Sequence, residues 1–414
     1  MIQSRKKMGR SLITLFMGIM SLLLVYPLWA QQEAKTLKVG YIGPLSGAVA
    51  EAGIDNMRSV ELAADKINSG GGLQINGVFY KVTVVGYDDK LTAQGGVAAF
   101  NKLMDENVKF IFGPFAAESS LAVVPLAQAH EIVIFPGGWA DAVLGRSFTY
   151  AFRPDHTNRE AYDVLIEYIA KTHPEAKKVA QIAPSHVGGE TGQHYFQDYA
   201  EQHGMRIVLT ELFEPFMEDK HTNHGNYVDE ALKPYVDKIL AVKADIVDLG
   251  STMGDLEALF IHALHKFGYK GILITNACSH DHILSMAGPK ALDGAYSTAA
   301  MDYYDEKIPT RLKELRNAYH KKYGQESLFT YPAEYNYDAA LMLFKAIETC
   351  DSMDTQCVRD ALLSVDHTLV SGVKAKWGGK KTYGIDRQLL RPVPISCWEN
   401  GKLKFVSYEI PDIE

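Results

Sequence analysis

The chain has 414 residues, 47% apolar and 22% charged, a composition typical of globular proteins and long enough for more than one core. Its formal net charge is −8, a sign that repels nucleic acid and anionic lipid and excludes both as expected partners. Residues 1–30 stand apart: Arg5, Lys6, Lys7 and Arg10 precede an apolar run from Leu12 to Val25, and Leu28-Trp29-Ala30 precedes Gln31-Gln32. That pattern predicts a signal peptide cut after Ala30, since the apolar run is short for a membrane span. No cysteine adjoins the cut, so no lipid anchor is expected and the location expected is a Gram-negative periplasm. Losing the leader's four basic residues takes the net charge to −12.

The remaining chain alternates between two periodicities. Leu37 to Ile42 reads as strand, and Gly53 to Ser69 as helix through Val60, Ala63, Ala64 and Ile67. Strands follow at Phe79–Tyr87, Lys109–Phe112 and Ile132–Phe135, with helices at Thr92–Asn107 and Ser119–His130 between them. Phe148–Phe152 reads as a connecting strand, after which the rhythm restarts. Helices at His156–Lys171, Gly192–Gly204, Val228–Val242 and Asp255–Phe267 alternate with strands at Lys178–Ala183, Arg206–Leu212, Asp245–Leu249 and Gly271–Thr275. An extended stretch at Ala291–Thr298 leads to helices at Thr310–Tyr323, Pro332–Cys350 and Thr355–Leu363, then strands at Val393–Trp398 and Lys402–Tyr408. Such alternation predicts an α/β protein with two doubly wound, mostly parallel sheets joined near residue 151.

Four cysteines remain in an oxidising compartment. Cys350 and Cys357 flank the polar DSMDTQ between two helices, which predicts a disulfide; Cys278 and Cys397 either pair or stay free.

Ligands of open parallel sheets sit beyond the carboxyl ends of the strands. The loops in that position are 43–53, 113–120, 136–142, 184–192, 250–255 and 276–282. In GPFAAESS, Ser119 is a candidate helix cap beside free N–H groups suited to a carboxylate. In FPGGWAD, Gly137 and Gly138 lay the backbone bare, and Trp139 is either a core pin or a flat wall for a ligand; the flanking glycines favour the wall.

The arrangement resembles the periplasmic leucine/isoleucine/valine-binding proteins, the type I solute-binding components of ABC importers. The stretches carrying the resemblance are LKVGYIGPLSG, ELAADKINSGGGLQINGVFYKVTVVGYDD, FIFGPFAAESSLAVVPLAQAHEIVIFPGG, TYAFRP, YPAEYNYDAALMLFKAIE, GVKAKWGG and PVPISCWENGKLKFV. They run from about Lys35 to Val406. The resemblance implies a type I periplasmic-binding-protein fold: two lobes joined by three crossover strands, the third near residue 391, closing on a small ligand. The expected division is residues 31–151 with 296–390 in the N-terminal lobe, and 152–295 with 391–414 in the C-terminal lobe.

The family's binding segment falls on Ala116, Ala117, Glu118 and Ser119. Its usual serine becomes Ala117, which moves a carboxylate contact to Ser119 or to backbone. A second segment falls on Gly137, Gly138 and Trp139, while an aromatic of the first loop becomes Ala52, as if the aromatic wall had changed loops. In the second lobe the matching positions are Thr191-Gly192 and a contact near Thr252 and Met253. Asn276 stands where amino-acid binders place an acid against the ligand's ammonium group, and Asn cannot neutralise a charge. Glu118 or Asp255 are possible substitutes. The weight moves to a ligand without a free α-amino group, an aryl or alkyl carboxylate or an amide, with Tyr303 and Tyr335 as further contacts.

The implied partners are the small-molecule ligand and importer permease subunits; a sensor or receptor ectodomain, or a partner of a signalling protein, is the alternative. No cofactor is expected. His262 and His265 are spaced for a metal but no third ligand is dictated, and His221, His224, His280 and His282 read as surface or loop residues, with a ligand contact open for the last pair. Neither a G-x-S-x-G elbow nor a phosphate loop is present, so no catalysis is expected.

Overall fold

Phe110–Phe112 and Val133–Phe135 are wholly buried three-residue strands, as expected where helices cover both faces of a sheet. The computed structural model describes residues 35–413 apart from 48, 215–230, 277–279, 326, 328 and 331. The leader, His221, His224, Cys278 and the side chains of His280 and His282 lie outside the described residues. The first sheet holds β1 (Lys35–Gly43), β2 (Leu73–Ile75), β3 (Val78–Asp88), β4 (Phe110–Phe112) and β5 (Val133–Phe135) in the order β2-β3-β1-β4-β5. All pairs are parallel except the β2–β3 hairpin. Helix α1 (Ala50–Ser69) and a later helix, Pro332–Cys350, cover one face, where Val60, Leu343 and Ile347 meet Tyr41 and Phe112. Helices α2 (Ala93–Asp105) and α3 (Ala117–Ala129) cover the other, where Phe100 and Val123 meet Ile42 and Ile134.

After α4 (Asn158–Thr172), the second sheet collects β6 (Lys178–Pro184), β7 (Arg206–Phe213), β8 (Ile246–Asp248), β9 (Ile272–Thr275) and β10 (Tyr296–Ser297) as parallel neighbours. Strands β13 (Val393–Glu399) and β14 (Lys402–Glu409) close it antiparallel, giving β14-β13-β10-β9-β8-β6-β7. Helices α4 and α5 (Val187–Gln202) cover one face; α6 (Lys233–Val242) and α7 (Gly254–Lys266) cover the other. Then come α8 (His280–Ala287), α9 (Pro289–Leu292), α10 (Thr310–Tyr323), α11 (Pro332–Cys350), α12 (Thr355–Leu362), β11 (Trp377–Gly378), α13 (Lys380–Tyr383) and β12 (Gln388–Leu389). Among the described residues no helix is long and apolar enough to cross a membrane.

The chain passes between the sheets three times: before α4, after β10, and between β12 and β13. The first and third passages run side by side, Arg153 N donating to Arg387 O and Leu389 N donating to Arg153 O, both at 2.9 Å. The Gln388 amide locks them: its Oε1 accepts from Arg153 Nε and its Nε2 donates to Asp155 O, each at 2.6 Å. Arg391, fully buried, stands 3.5 Å from Glu334 on α11. Such a pair fixes geometry more than it adds stability.

Three readings of the sequence change. Ala291–Leu292 is helical in α9 because Pro289 opens a turn of helix there, and only Tyr296–Ser297 is strand. That strand belongs to the second sheet, so the second passage follows Ser297. The hairpin strand β2 was absent from the reading; Asn76 and Gly77, both at positive φ, make its turn. The Cys350–Cys357 disulfide is formed, with Cα atoms 6.0 Å apart, and Cys397 is a half-buried free thiol.

Candidate functional site

The carboxyl ends of both sets of parallel strands face a common cleft, which encloses a cavity of about 440 Å³. From the first lobe, Phe115, Ala116, Ala117 and Glu118 enter after β4, and Gly137, Gly138 and Trp139 after β5. Lys90, Leu91 and Thr92 complete that side from the turn after β3. The second lobe supplies His186 and Gly188 at the start of α5, Gly250, Ser251 and Met253 after β8, and Asn276 after β9. Asp155, Asn158, Ala299 and Tyr335 close the hinge side. The walls are therefore mainly apolar and aromatic, with few polar groups, the usual make-up of a small-molecule site.

Helix N-termini converge on this space. At α3 and α7 the N-cap residues, Ala116 and Met253, give no side-chain cap, so their first N–H groups remain available to an anion. At α4 and α5 the caps are satisfied by Thr157 Oγ1, accepting from Glu160 N, and by His186 Nδ1, accepting from Gly189 N.

Trp139 is half-buried and tethered. Its indole Nε1 donates to Asp155 Oδ2 at 2.6 Å, and its ring lies 4.5 Å from that of His156, tilted by 42°. Gly138 explains the approach of its loop: a Cβ there would stand 2.9 Å from Ala117 Cα, so no side chain fits. Asn276 is 6% exposed, its Nδ2 donating to Gly250 O at 3.1 Å and its backbone N to Glu257 Oε1 at 2.5 Å.

The lobes touch across the cleft mouth. Glu118 Oε1 lies 3.5 Å from His186 Nδ1. Asp141, in a short turn after β5, accepts from the Tyr195 hydroxyl of α5 and lies 3.4 Å from Arg159 Nε of α4. The Arg159 guanidinium sits 4.1 Å above the Tyr195 ring, a cation–π contact that completes the clamp. Behind the hinge, burial pushes the Glu160 carboxyl up to about 8. Its Oε1 accepts from Tyr383 at 2.7 Å. Burial likewise raises Glu334, and Asp248 beneath the Gly250 turn, each to about 7.

Of the expected site residues, Ala117, Glu118, Gly137, Gly138, Trp139, Asn276 and Tyr335 line the cavity. Ser119 does not: Ala116, not Ser119, occupies the cap of α3, and the Ser119 hydroxyl is buried, donating to Thr92 O. Thr191 falls on the second turn of α5, whose start at Val187 precedes the expected start by five residues and presents His186 and Gly188 instead. Thr252 is buried behind its lining neighbours Ser251 and Met253. Tyr303 packs edge-on against Phe329, 4.8 Å away, in a separate core. Among its described residues loop 43–53 lines none of the cavity, and Ala52 is buried inside α1. The turn after β3 was not among the expected loops, although the strand-end rule reaches it; Asp155 and Asn158, on a passage between lobes, had no such signal. Among the described residues no group of three or more His, Cys, Asp or Glu is placed to hold a metal.

Comparison with known proteins gives the same picture. The Leu/Ile/Val-binding protein homolog 8 of Brucella abortus is 27% identical over 385 residues, covering 89% of each chain. A solute-binding protein of an R. palustris ABC transporter, solved with 4-hydroxybenzoate, superposes with a TM-score of 0.75 at 19% identity, over 91% of this chain and 98% of that one. LivJ of Streptococcus pneumoniae, solved with isoleucine, gives 0.74 at 17% identity, over 91% and 100%. The fold is thus that of the type I solute-binding proteins. With the periplasmic binding protein family matching residues 36–402, the chain belongs to that family.

Proposed function

We propose that this protein is exported by its leader to the periplasm, where it captures a small organic carboxylate, aromatic in preference to an α-amino acid, and delivers it to an ABC importer. The observation that carries the ligand class is Asn276, a neutral amide in the wall where an amino-acid receptor needs an acid. A buried ammonium without a partner costs several kcal/mol, on the order of the desolvation it loses. Asp155 is engaged by the Trp139 indole, and Glu118 Oε1 stands 3.5 Å from His186 Nδ1, a nitrogen that already accepts from Gly189 N, so Glu118 is the acid against which the ligand class has to be tested. A carboxylate instead meets the uncapped starts of α3 and α7, with Phe115, Trp139 and Tyr335 around its apolar part. The R. palustris relative was solved with 4-hydroxybenzoate and the S. pneumoniae one with isoleucine, so one fold accommodates both chemistries.

No bond of the ligand is made or broken. Closure over the three passages stabilises whichever state makes more ligand contacts, and the Asp141–Arg159–Tyr195 clamp holds the closed one. A melting-shift screen with benzoate, 4-hydroxybenzoate, leucine and isoleucine tests the proposal. A ligand at 100 times its Kd stabilises by about 2.7 kcal/mol. Benzoates should raise the melting temperature; a response to leucine or isoleucine alone overturns the ligand class.

A further inference from the structure

We infer that Asp155 is a positioning residue, its carboxylate setting the orientation of the Trp139 ring and tying that wall of the cavity to the hinge. The inference rests on reading the cavity as the solute site. Trp139 belongs to the loop after β5, yet its polar groups are held by the first passage between lobes. The indole donates to Asp155 Oδ2 at 2.6 Å, and the Trp139 carbonyl accepts from Asn158 N, the first residue of α4, at 3.3 Å. Asp155 is 1% exposed and is itself fixed at both ends. Its Oδ1 accepts from His156 N at 2.8 Å, and its carbonyl accepts from Gln388 Nε2 at 2.6 Å, on the third passage.

A buried carboxylate is costly unless it is fully engaged, and a charge-assisted bond to an N–H is short and directional. A tryptophan needs no such bond to fill space. What the bond adds is orientation: a half-buried indole without it has other staggered positions open. Because Gln388 and Arg153 lock the two passages through the same residues, any rotation of the hinge carries Asp155 and hence the aromatic wall with it.

The test uses the purified protein as wild type, Asp155→Ala, Trp139→Phe and the double variant, with Asp155→Asn as a fold-preserving alternative that keeps one acceptor. Trp377 and Trp398 are 8% and 1% exposed, so Trp139 is the accessible emitter among the described tryptophans. Without ligand, Asp155→Ala should increase acrylamide quenching of wild-type fluorescence but leave it unchanged in the Trp139→Phe background. In benzoate titrations, removing the Asp155 carboxylate also removes a like charge from the cavity wall, alike in both backgrounds, so the readout is the difference. Asp155→Ala should cost about tenfold more affinity in the wild-type background than in Trp139→Phe, the loss expected for a hydrogen bond to a charged group. Unchanged quenching, or equal losses of affinity in both backgrounds, overturns the inference. If wild type binds no benzoate, the proposed ligand class fails while the quenching comparison still decides the role of Asp155.

Discussion

Asn276→Asp places a carboxylate in the cavity wall in nearly the same shape, and the cost to an anionic ligand follows from the cavity's size. A sphere of 440 Å³ is about 9 Å across, so a bound carboxylate lies within roughly that distance of residue 276. At an effective dielectric of about 20, two like charges 9 Å apart repel by about 2 kcal/mol, roughly 20- to 30-fold in affinity. At 6% exposure burial raises the new acid, as it raises Asp248 beneath the same turn, so the comparison is made at about pH 8.5, where the acid is ionised and the repulsion is developed. Calorimetric titration with benzoate and with leucine, wild type against variant, reads the effect directly. Benzoate should weaken by that factor while leucine, whose ammonium gains a partner, strengthens. A variant that binds benzoate as tightly as wild type refutes the placement of the ligand's charge in this cavity.

Gly138→Ala forces a Cβ to within 2.9 Å of Ala117 Cα and Val143 Cγ2, and urea unfolding should show a loss of about 1–3 kcal/mol, with weaker ligand binding as the loop shifts. Opening the Cys350–Cys357 ring by Cys357→Ser should cost about 2–3 kcal/mol in the chain-entropy account, read by the same unfolding assay with and without reductant. Glu160 is raised by burial from 4.5 to about 8, so the folded state holds a proton that the unfolded chain has released. Its contribution is complete below pH 4.5 and is lost as pH rises towards 8, and Glu160→Gln, which keeps the acceptor for Tyr383, should flatten that slope.

The alternation of strands and helices was legible because parallel strands covered on both faces, such as Phe110–Phe112 and Val133–Phe135, are continuously apolar and short. The rule that ligands lie beyond strand ends located Gly137, Trp139 and Asn276. Which side chain of a loop turns inward was less legible, because each helical residue rotates the face by about 100°. Thr191 missed the cavity through a helix start shifted to Val187, capped by a histidine ring rather than by a residue that sequence habit favours. Ser119 missed it because an alanine occupies the cap. Tyr303 and Tyr335 look alike in sequence; only tertiary packing sends one under Phe329 and the other to the cavity. Asp155 was invisible for a different reason, since its role comes from a pairing of passages more than 200 residues apart in the chain.

The central claim is that two lobes close on a small carboxylate. Small-angle X-ray scattering of the protein freed of ligand by unfolding and refolding, then titrated with its strongest benzoate, tests it most directly. The expected result is a radius of gyration that falls with saturation at one ligand per chain. A radius that stays constant while the benzoate binds stoichiometrically would contradict closure, and a fall produced only by leucine or isoleucine would contradict the preference for an aromatic carboxylate over an α-amino acid.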